Sequence, residues 1–413
     1  MEISYIALAI PAFFALMGLE LLLARREGKP VYRLNDSIND LSCGVLQQLL
    51  GVFTKTAVFG GYLLIYSFRA FEIPSASIWA WAALFLGVDF FYYWFHRTGH
   101  EMNLVWATHV VHHQSEEMNL AVALRQSSLQ HLFSALFYWP LAWIGFPPLM
   151  FLAVESFNTL YQFWIHTRLI DKLGPLEWVL NTPSHHRVHH GCNPKYIDRN
   201  HGGTLIVWDR LFGTFQAEEE EPIYGITKPL RSWNPFWANV HYWVELAELA
   251  RAAPSRREKL LVFLRSPEAT ARLRGEWGAE TAPAAVEKYD ARAPNALRGY
   301  LLAQFTVVIV SSTLFLWYFD RLSIGARAAL VVFAVWSVLN FGAAFEHRQW
   351  FLAAELGRLI FAVAAVGVLN SGFSQSWIPT AAGGLLALGS ALWLRSRAAF
   401  TASAPALQPE TQR

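Results

Sequence analysis

Long apolar runs constrain the fold of this chain more than any other feature. They lie at about 3–24, 43–67, 76–96, 119–145 and 147–165, and again at about 299–318, 324–345, 352–369 and 377–394. Runs of this kind, close to the roughly 20 residues that cross a bilayer, are read as membrane helices. Backbone in hydrocarbon must satisfy its own hydrogen bonds, so the expected class is all-α, a polytopic integral membrane protein. Composition agrees: 54% of residues are hydrophobic and 15% charged, against roughly a quarter charged in soluble domains. A net charge of +2 offers no basic surface for nucleic acid. The first run has no basic region ahead of it and is read as a membrane helix, not as a cleaved signal. Pro147-Pro148, between the fourth and fifth runs, predicts a hairpin turn.

Basic residues orient the spans. Arg25, Arg26, Lys29 and Arg33 follow the first helix and place that loop in the cytoplasm. Counting crossings then puts Arg69 to Ser75 outside. The polar stretch 167–298 falls inside, as does the tail after Arg395 and Arg397. The membrane is a bacterial inner membrane or the endoplasmic reticulum. Within the polar stretch, Asn234 to Arg251 carries Phe236, Trp237, Val240, Trp243, Val244 and Ala247 at helical spacing. It reads either as a helix lying in the headgroup plane or as an amphipathic helix packing on a cytosolic domain. Glu218 to Glu221 reads as a solvated loop, Ala252 to Pro294 as helices and linker, and the residues after Thr401 as disordered.

Histidines carry the chemical signal. Nine of the 14 fall in two windows, Asp89–His113 and Ser184–His190, both on the cytoplasmic side by the same counting. His96 and His100 are four apart; His109, His112 and His113 stand at i, i+3 and i+4, as do His186, His189 and His190. On helices these spacings aim several imidazoles at one point. Neutral imidazole is the common nitrogen ligand of iron, zinc, copper and nickel, and eight or more such groups suit two ions. The expected fold is therefore a histidine-rich di-metal helical bundle with a cytosolic cap and a second, C-terminal four-helix membrane module. His-Glu-x-x-His is absent, and the two cysteines, Cys43 and Cys192, cannot build a thiolate site. Iron with open positions fits a nitrogen-rich site, and zinc stays open as an occupant. Asp89 and Glu101 are candidate acceptors that orient ligand histidines; for Asp89 a plain helix–helix hydrogen bond is the alternative. His131, His201, His241 and His347 are read as ordinary core histidines.

The motifs HRTGH, HVVHH and HRVHH resemble the three histidine boxes of the fatty acid hydroxylase and sterol desaturase superfamily, integral membrane di-iron enzymes. Their flanks, DFFYYWFHRTGHEMNLVWATHVVHHQSEEMNLAVALRQS, LYQFWIHTRLIDKLGPLEWVLNTPSHHRVHHG and LIVWDRLFGTFQAE, resemble the alkylglycerol monooxygenase family within it. The resemblance covers about residues 85–230. It implies two irons on His96, His100, His109, His112, His113, His186, His189 and His190, with His166 as a further ligand. It also implies a functional part for Glu101, whereas His185 lies outside the HxxHH spacing and is a candidate supporting residue. The implied reaction uses O2 to hydroxylate the carbon next to an ether oxygen, releasing a fatty aldehyde and a glycerol derivative. Tetrahydrobiopterin is the implied reductant. No cytochrome module, flavin fingerprint or iron–sulfur cysteine set stands in the sequence, so an external electron donor is expected, with lipid entering from the bilayer.

Arg125 and, less so, Arg187 are candidates to meet a phosphate or glycerol head. The expected organisation is membrane helices at 1–75, a fatty acid hydroxylase-like catalytic domain at 76–235, an interfacial helix and linker at 236–298, the second membrane module at 299–395 and a tail at 396–413. Two rivals stand beside this reading: hydroxylation or desaturation of another lipid (sterol, fatty acyl or aminolipid), and a non-catalytic metal-binding membrane protein. The second would thread polar groups through its helices, where only scattered ones such as Glu20, Glu155, Glu355 and Arg358 stand. Glu346-His347-Arg348 reads as an interfacial anchor, and oligomeric state is not legible.

Overall fold

The structure, a computed structural model, describes residues 5–273, 287–369 and 377–401. Among these the regular elements are helices, with two isolated bridges, Leu180 to Leu205 and Gly191 to Tyr224. Six of the helices are long and apolar enough to cross a membrane: Leu8–Arg26, Leu34–Tyr66, Ile78–Glu101, Asn295–Arg321, Ile324–Phe345 and Phe351–Val368. The chain is thus built as a multi-pass membrane protein. It divides into two compact units. One holds the described residues up to Arg231 together with Phe236–Tyr289; the other holds Ser232–Pro235 and the described residues from Asp290 on.

The first unit begins with α1 (Tyr5–Arg26), α2 (Leu34–Tyr66), α3 (Ile78–Glu101) and α4 (Asn103–His113). The apolar run expected to span at 119–145 is not one helix. Residues 114–129 are turns and coil with one 3₁₀ turn, Val122–Leu124, and α5 covers only Gln130–Ile144. The reason is burial in protein rather than in lipid. Met118, Ala121 and Val122 are buried alongside Asn119, Arg125 and Ser127, whose polar atoms are bonded inside the unit. A segment enclosed by protein is as apolar as one enclosed by lipid, and run length alone does not separate the two.

After α5 the chain turns at Gly145 (φ 118°), where a Cβ would lie 2.0 Å from the Phe71 carbonyl oxygen, so only glycine fits. Pro148 then occupies the first turn of α6 (Pro148–Trp164). At 15 and 17 residues, α5 and α6 measure roughly 22 and 26 Å, short of the ~30 Å hydrocarbon core. They form the expected hairpin, with Tyr138 and Phe151 rings 5.3 Å apart. Its core joins Tyr62 of α2, Leu84 and Val88 of α3, Leu141 of α5 and Met150 and Val154 of α6.

On the polar side follow α7 (Pro183–His189), α8 (Val207–Phe212), α9 (Pro235–Ala252), α10 (Arg256–Leu264) and α11 (Pro267–Leu273). α9 packs on protein: Leu246 clusters with Ala107 of α4 and Val262 of α10, and the Tyr242 hydroxyl donates to Asn103 (2.6 Å). Its other face leaves Phe236, Trp237 and Val244 exposed. The expected tail after Thr401 lies outside the described residues.

The second unit contains α12 (Asn295–Tyr318), α13 (Ile324–Phe345), α14 (Phe351–Leu369) and α15 (Trp377–Thr401), packed in sequence order. Glu355 and Arg358, which look scattered in sequence, form one buried network. Arg358 donates to both Glu355 oxygens (2.5 and 2.9 Å), to Gln304 of α12 (2.8 Å) and to Ser337 of α13 (3.3 Å). Glu355 also accepts from Asn340 (2.9 Å) and from the Tyr300 hydroxyl. Every charge is met, so the network locks three helices together. Glu346 serves the same unit locally, accepting from Ser232 Oγ (2.8 Å) and the Trp233 amide (2.5 Å).

Arg358→Leu would strand a buried carboxylate and should cost about 3–5 kcal/mol. The readout is the unfolding midpoint of the detergent-solubilised protein. The double variant Glu355→Leu, Arg358→Leu should recover most of that loss. Equal losses in the single and double variants would contradict the lock.

Candidate metal centre

Four elements deliver the histidines. His96 and His100 sit on the last two turns of α3. Met102, extended at φ −138° and ψ 121°, interrupts the helix and lets α4 pack back with His109, His112 and His113 on it. His166 stands just beyond α6, after the helix has ended at Trp164. α7, begun by Pro183, is only 7 residues long, yet that suffices to align His186 and His189, with His190 as its C-terminal cap.

All nine rings are buried, and they converge in two groups: His96, His100, His109, His113 and His189 in one, His112, His166, His186 and His190 in the other. Within each group the ligand nitrogens lie within 4.8 Å of one another. Nε2 atoms approach much closer along each group. The spacings are 3.0 Å for His96–His109, 3.1 Å for His109–His113 and 3.1 Å for His113–His189. In the second group they are 3.2 Å for His112–His166, 2.9 Å for His166–His186 and 3.2 Å for His186–His190. The groups adjoin: the His113 and His190 rings stack at 4.5 Å.

Tautomers decide what these short approaches mean. A main-chain carbonyl can only accept, so a ring nitrogen bonded to one carries the proton. Nδ1 of His96 donates to the His201 carbonyl (2.8 Å), of His112 to Arg125 (3.0 Å), of His166 to Gln162 (2.7 Å) and of His189 to Arg199 (2.9 Å). When neutral, these four rings present a bare lone pair at Nε2. His112 and His166 therefore face each other lone pair to lone pair at 3.2 Å, which is not a hydrogen bond. Protonating a ring would relieve the clash, but burial opposes it: the His112 imidazole is pushed down to about 4, and burial and then neighbouring imidazoles hold His186, His189 and His190 well below the usual range. A cation between the nitrogens removes the conflict. Metal–nitrogen bonds of about 2.0–2.1 Å set neighbouring donors roughly 2.9–3.4 Å apart, which is the spacing found. The two groups can hold two metal ions.

Several residues singled out in the sequence stand elsewhere. Asp89 touches none of the histidines. Its carboxylate accepts from the Thr204 amide (2.7 Å), the Leu205 amide (3.0 Å), Trp208 Nε1 (2.9 Å) and Asn158 Nδ2 (2.7 Å), tying α3 and α6 to the loop before α8. Glu101 ends α3 half-exposed and paired with Arg97 (2.9 Å), outside both groups. Orientation of the ligand rings falls to main-chain carbonyls instead of these two carboxylates. His185 packs on Phe215 and stays out of both groups, although its carbonyl accepts from Asn200 (3.0 Å). Arg125 is 2% exposed and spends its guanidinium on Val111, Asn39, Asp40 and Gln114, so it has no free face for a lipid head. Its service to the site is the carbonyl under His112. Arg187 is clamped by Glu218 (2.6 and 2.8 Å) and by two carbonyls, so the first carboxylate of the acidic run anchors α7 and is not solvated.

Three supporting residues are not evident from spacing. Glu20 of α1 accepts from Thr167 Oγ1 (2.5 Å), from the Leu120 amide (2.9 Å) and from the Tyr32 hydroxyl, fixing the residue next to His166. Asp209 accepts from the His201 and Gly202 amides (both 2.7 Å) and from Thr214 Oγ1 (2.7 Å); burial outweighs these bonds and raises its carboxyl to about 6. His201, an ordinary core histidine by its sequence, lies at the edge of the first group, 5.0 Å from His100 by ring centroids. Its only sequence signal is the stretch Asn200-His201-Gly202-Gly203 just ahead of α8.

Residues 81–214 match the family model described as Fatty acid hydroxylase, and this segment contains every histidine of both groups. The chain is also similar to curated alkylglycerol monooxygenases. It is 47% identical to that of Xenopus tropicalis and 46% to that of Homo sapiens, each over 266 residues, 64% of this chain. Those alignments cover 59% and 60% of the two relatives, so the chain spans about three fifths of their length. A more distant likeness, 31% over 128 residues, is to an ornithine lipid hydroxylase of Rhizobium tropici and covers 31% of this chain and 39% of that one. No solved structure matches.

Since His112 and His166 oppose lone pair to lone pair and burial keeps His112 unprotonated, removing metal should destabilise the fold. Exhaustive chelation is expected to lower the thermal midpoint, and ferrous or zinc ion to restore it; ligand at 1,000 times its dissociation constant adds about 4 kcal/mol. A midpoint unmoved by chelator or metal, in protein shown to have contained metal, would contradict this.

Proposed function

We propose that this chain is a membrane di-iron monooxygenase of ether lipids. Using O2, it hydroxylates the carbon next to the ether oxygen of an alkylglycerol lipid, and the resulting hemiacetal separates into a fatty aldehyde and a glycerol derivative. The balance is one ether, one O2, two electrons and two protons consumed, against one aldehyde, one alcohol and one water formed. The observation that carries the reading is the convergence of nine buried imidazoles inside the hydroxylase-like segment. The 46–47% identity to alkylglycerol monooxygenases supports the choice of substrate.

The donor set fits two ferrous ions, which when bound would supply the activation of O2; zinc is the competing occupant, because imidazole accepts either. His96, His100, His109, His113 and His189 would hold one ion and His112, His166, His186 and His190 the other. Carbonyls of Arg125, Gln162, Arg199 and His201 keep four of these rings in the tautomer that presents Nε2 inward. Neither group includes a carboxylate, so the ligands leave the positive charge of the ions undiminished. Burial of the rings excludes bulk water and keeps them unprotonated. The apolar faces of α2, α3, α5 and α6 would receive the alkyl chain from the bilayer. Glu101, exposed and paired with Arg97, receives no step in this scheme.

The reductant is an external two-electron donor. A tetrahydropterin is the choice by family likeness, and no residue here is assigned to it. The basic residues after α1 would place the histidines on the cytoplasmic face. The short α5–α6 hairpin, counted as two crossings or as none, leaves that side unchanged. In this reading 76–235 is the catalytic segment, 1–75 and 236–298 flank it, and 299–395 with its tail 396–413 is a separate membrane module.

Purified protein in lipid nanodiscs, given a labelled alkylglycerol, reduced pterin and isotopically heavy O2, should form fatty aldehyde whose oxygen carries the heavy label. A hydroxylated acyl or sterol product with no aldehyde would favour the other-lipid hydroxylase. Metal binding without oxygen uptake on any of these lipids would remove the enzymatic reading.

A further inference from the structure

His201 is 0% exposed, and neither of its ring nitrogens has a hydrogen-bond partner. The main chain of Asp198 is near the ring but makes no hydrogen bond to it. Buried polar atoms are nearly always paired, so an imidazole with two orphaned nitrogens needs an explanation. Its surroundings offer one. The ring lies 5.0 Å from His100, 5.7 Å from His96 and 5.8 Å from His189. Members of the first group stand at the same separations from each other: 5.5 Å for His96–His100, 4.8 Å for His100–His189 and 6.4 Å for His109–His189.

The backbone of this residue is held firmly while its side chain is not. The His201 amide donates to Asp209 (2.7 Å) and its carbonyl accepts from His96 Nδ1 (2.8 Å). Asn200 beside it donates to the His185 and Gln216 carbonyls (3.0 and 2.7 Å). Asp198 and Asn200 both sit in the left-handed region, each at φ 56°, a conformation that Asp and Asn adopt more readily than other non-glycine residues. The fold thus presents the ring at a fixed place and leaves both nitrogens unbonded. His100, its nearest ring neighbour in the group, is the complement. It sits one residue from the end of α3, its Nε2 lacks a partner, and its Nδ1 is 3.4 Å from the Asp198 carboxylate.

We propose that His201 is an alternative ligand of the first metal position, exchangeable with His100, so that the ion held by His96, His109, His113 and His189 takes its remaining imidazole from either side chain. The inference rests on the two-metal reading above and adds a residue to it. No proton or electron changes hands: one neutral nitrogen replaces another.

Metal content of the purified full-length protein, measured after dialysis against a weak chelator, tests the exchange without relying on turnover. Wild type is expected to keep two ions per chain. His100→Phe and His201→Phe should each keep two as well, with dissociation of one ion quickened by about 10-fold or more, the scale on which supporting residues act. The double variant should keep one, and that remaining ion shows the second group, and so the fold, to be intact. If the double variant loses both, His100→Ala, His201→Ala with added free imidazole decides: recovery of an ion supports the exchange, no recovery contradicts it. Loss of an ion in His100→Phe alone, or a double variant no different from His100→Phe, overturns the proposal and leaves the two-metal reading standing. Wild type without bound metal overturns both.

Discussion

Opposed imidazole lone pairs are the constraint on which the rest of this structure depends. Backbone carbonyls accept a hydrogen bond from Nδ1–H of two rings in each group and so hold the proton there, and burial denies those rings a second proton. What remains, in the second group, is a pair of inward-facing Nε2 lone pairs, His112 and His166, 3.2 Å apart, a contact that a cation between them stabilises and a direct hydrogen bond cannot. The acceptor carbonyls belong to residue 162, in the last turn of α6, and to residues 125, 199 and 201, in two connections of the first unit. The order of the coil segments is therefore as much a part of the centre as the helices.

That dependence accounts for where the buried polar groups are spent. Arg125 fastens the segment before α5 to α2 and to the end of α4, Glu20 fastens α1 to the turn after α6, Asp89 fastens α3 and α6 to the loop before α8, and Glu218 fastens α7. Each of these charges costs free energy to bury and is met by several hydrogen bonds. Each also lies close in sequence or space to a connection that carries a ligand ring or the carbonyl beneath one. In the second unit the Glu355–Arg358 network has no such neighbour among the described residues; it joins helices and carries no histidine.

The histidine boxes were legible because their chemistry is encoded in spacing: i, i+3, i+4 on a helix survives translation into three dimensions, even on a helix as short as α7. His166 was legible only through family likeness, since a lone imidazole after an apolar helix has no periodic partner. The segment 119–129 reads as part of a membrane span because Met118, Ala121 and Val122 look alike whether lipid or protein encloses them; Asn119 and Arg125 within it are the contrary sign. His201 has no partner at ligand spacing, and no pattern in one sequence reports that a loop will return it to the end of α3. Asp89, Arg125 and Glu101 illustrate a further limit. Residue type announces a buried or charged group, but whether it meets a ligand ring, a loop amide or another side chain is decided by tertiary contacts.

The most direct test of the two-ion centre is elemental analysis of intact protein together with one variant from each group. Two ions per chain are predicted for wild type, about one for His109→Ala, which empties the first group, about one for His186→Ala, which empties the second, and none for the pair combined. A folded wild-type protein with no stoichiometric metal, or single variants that leave both ions in place, would contradict the account.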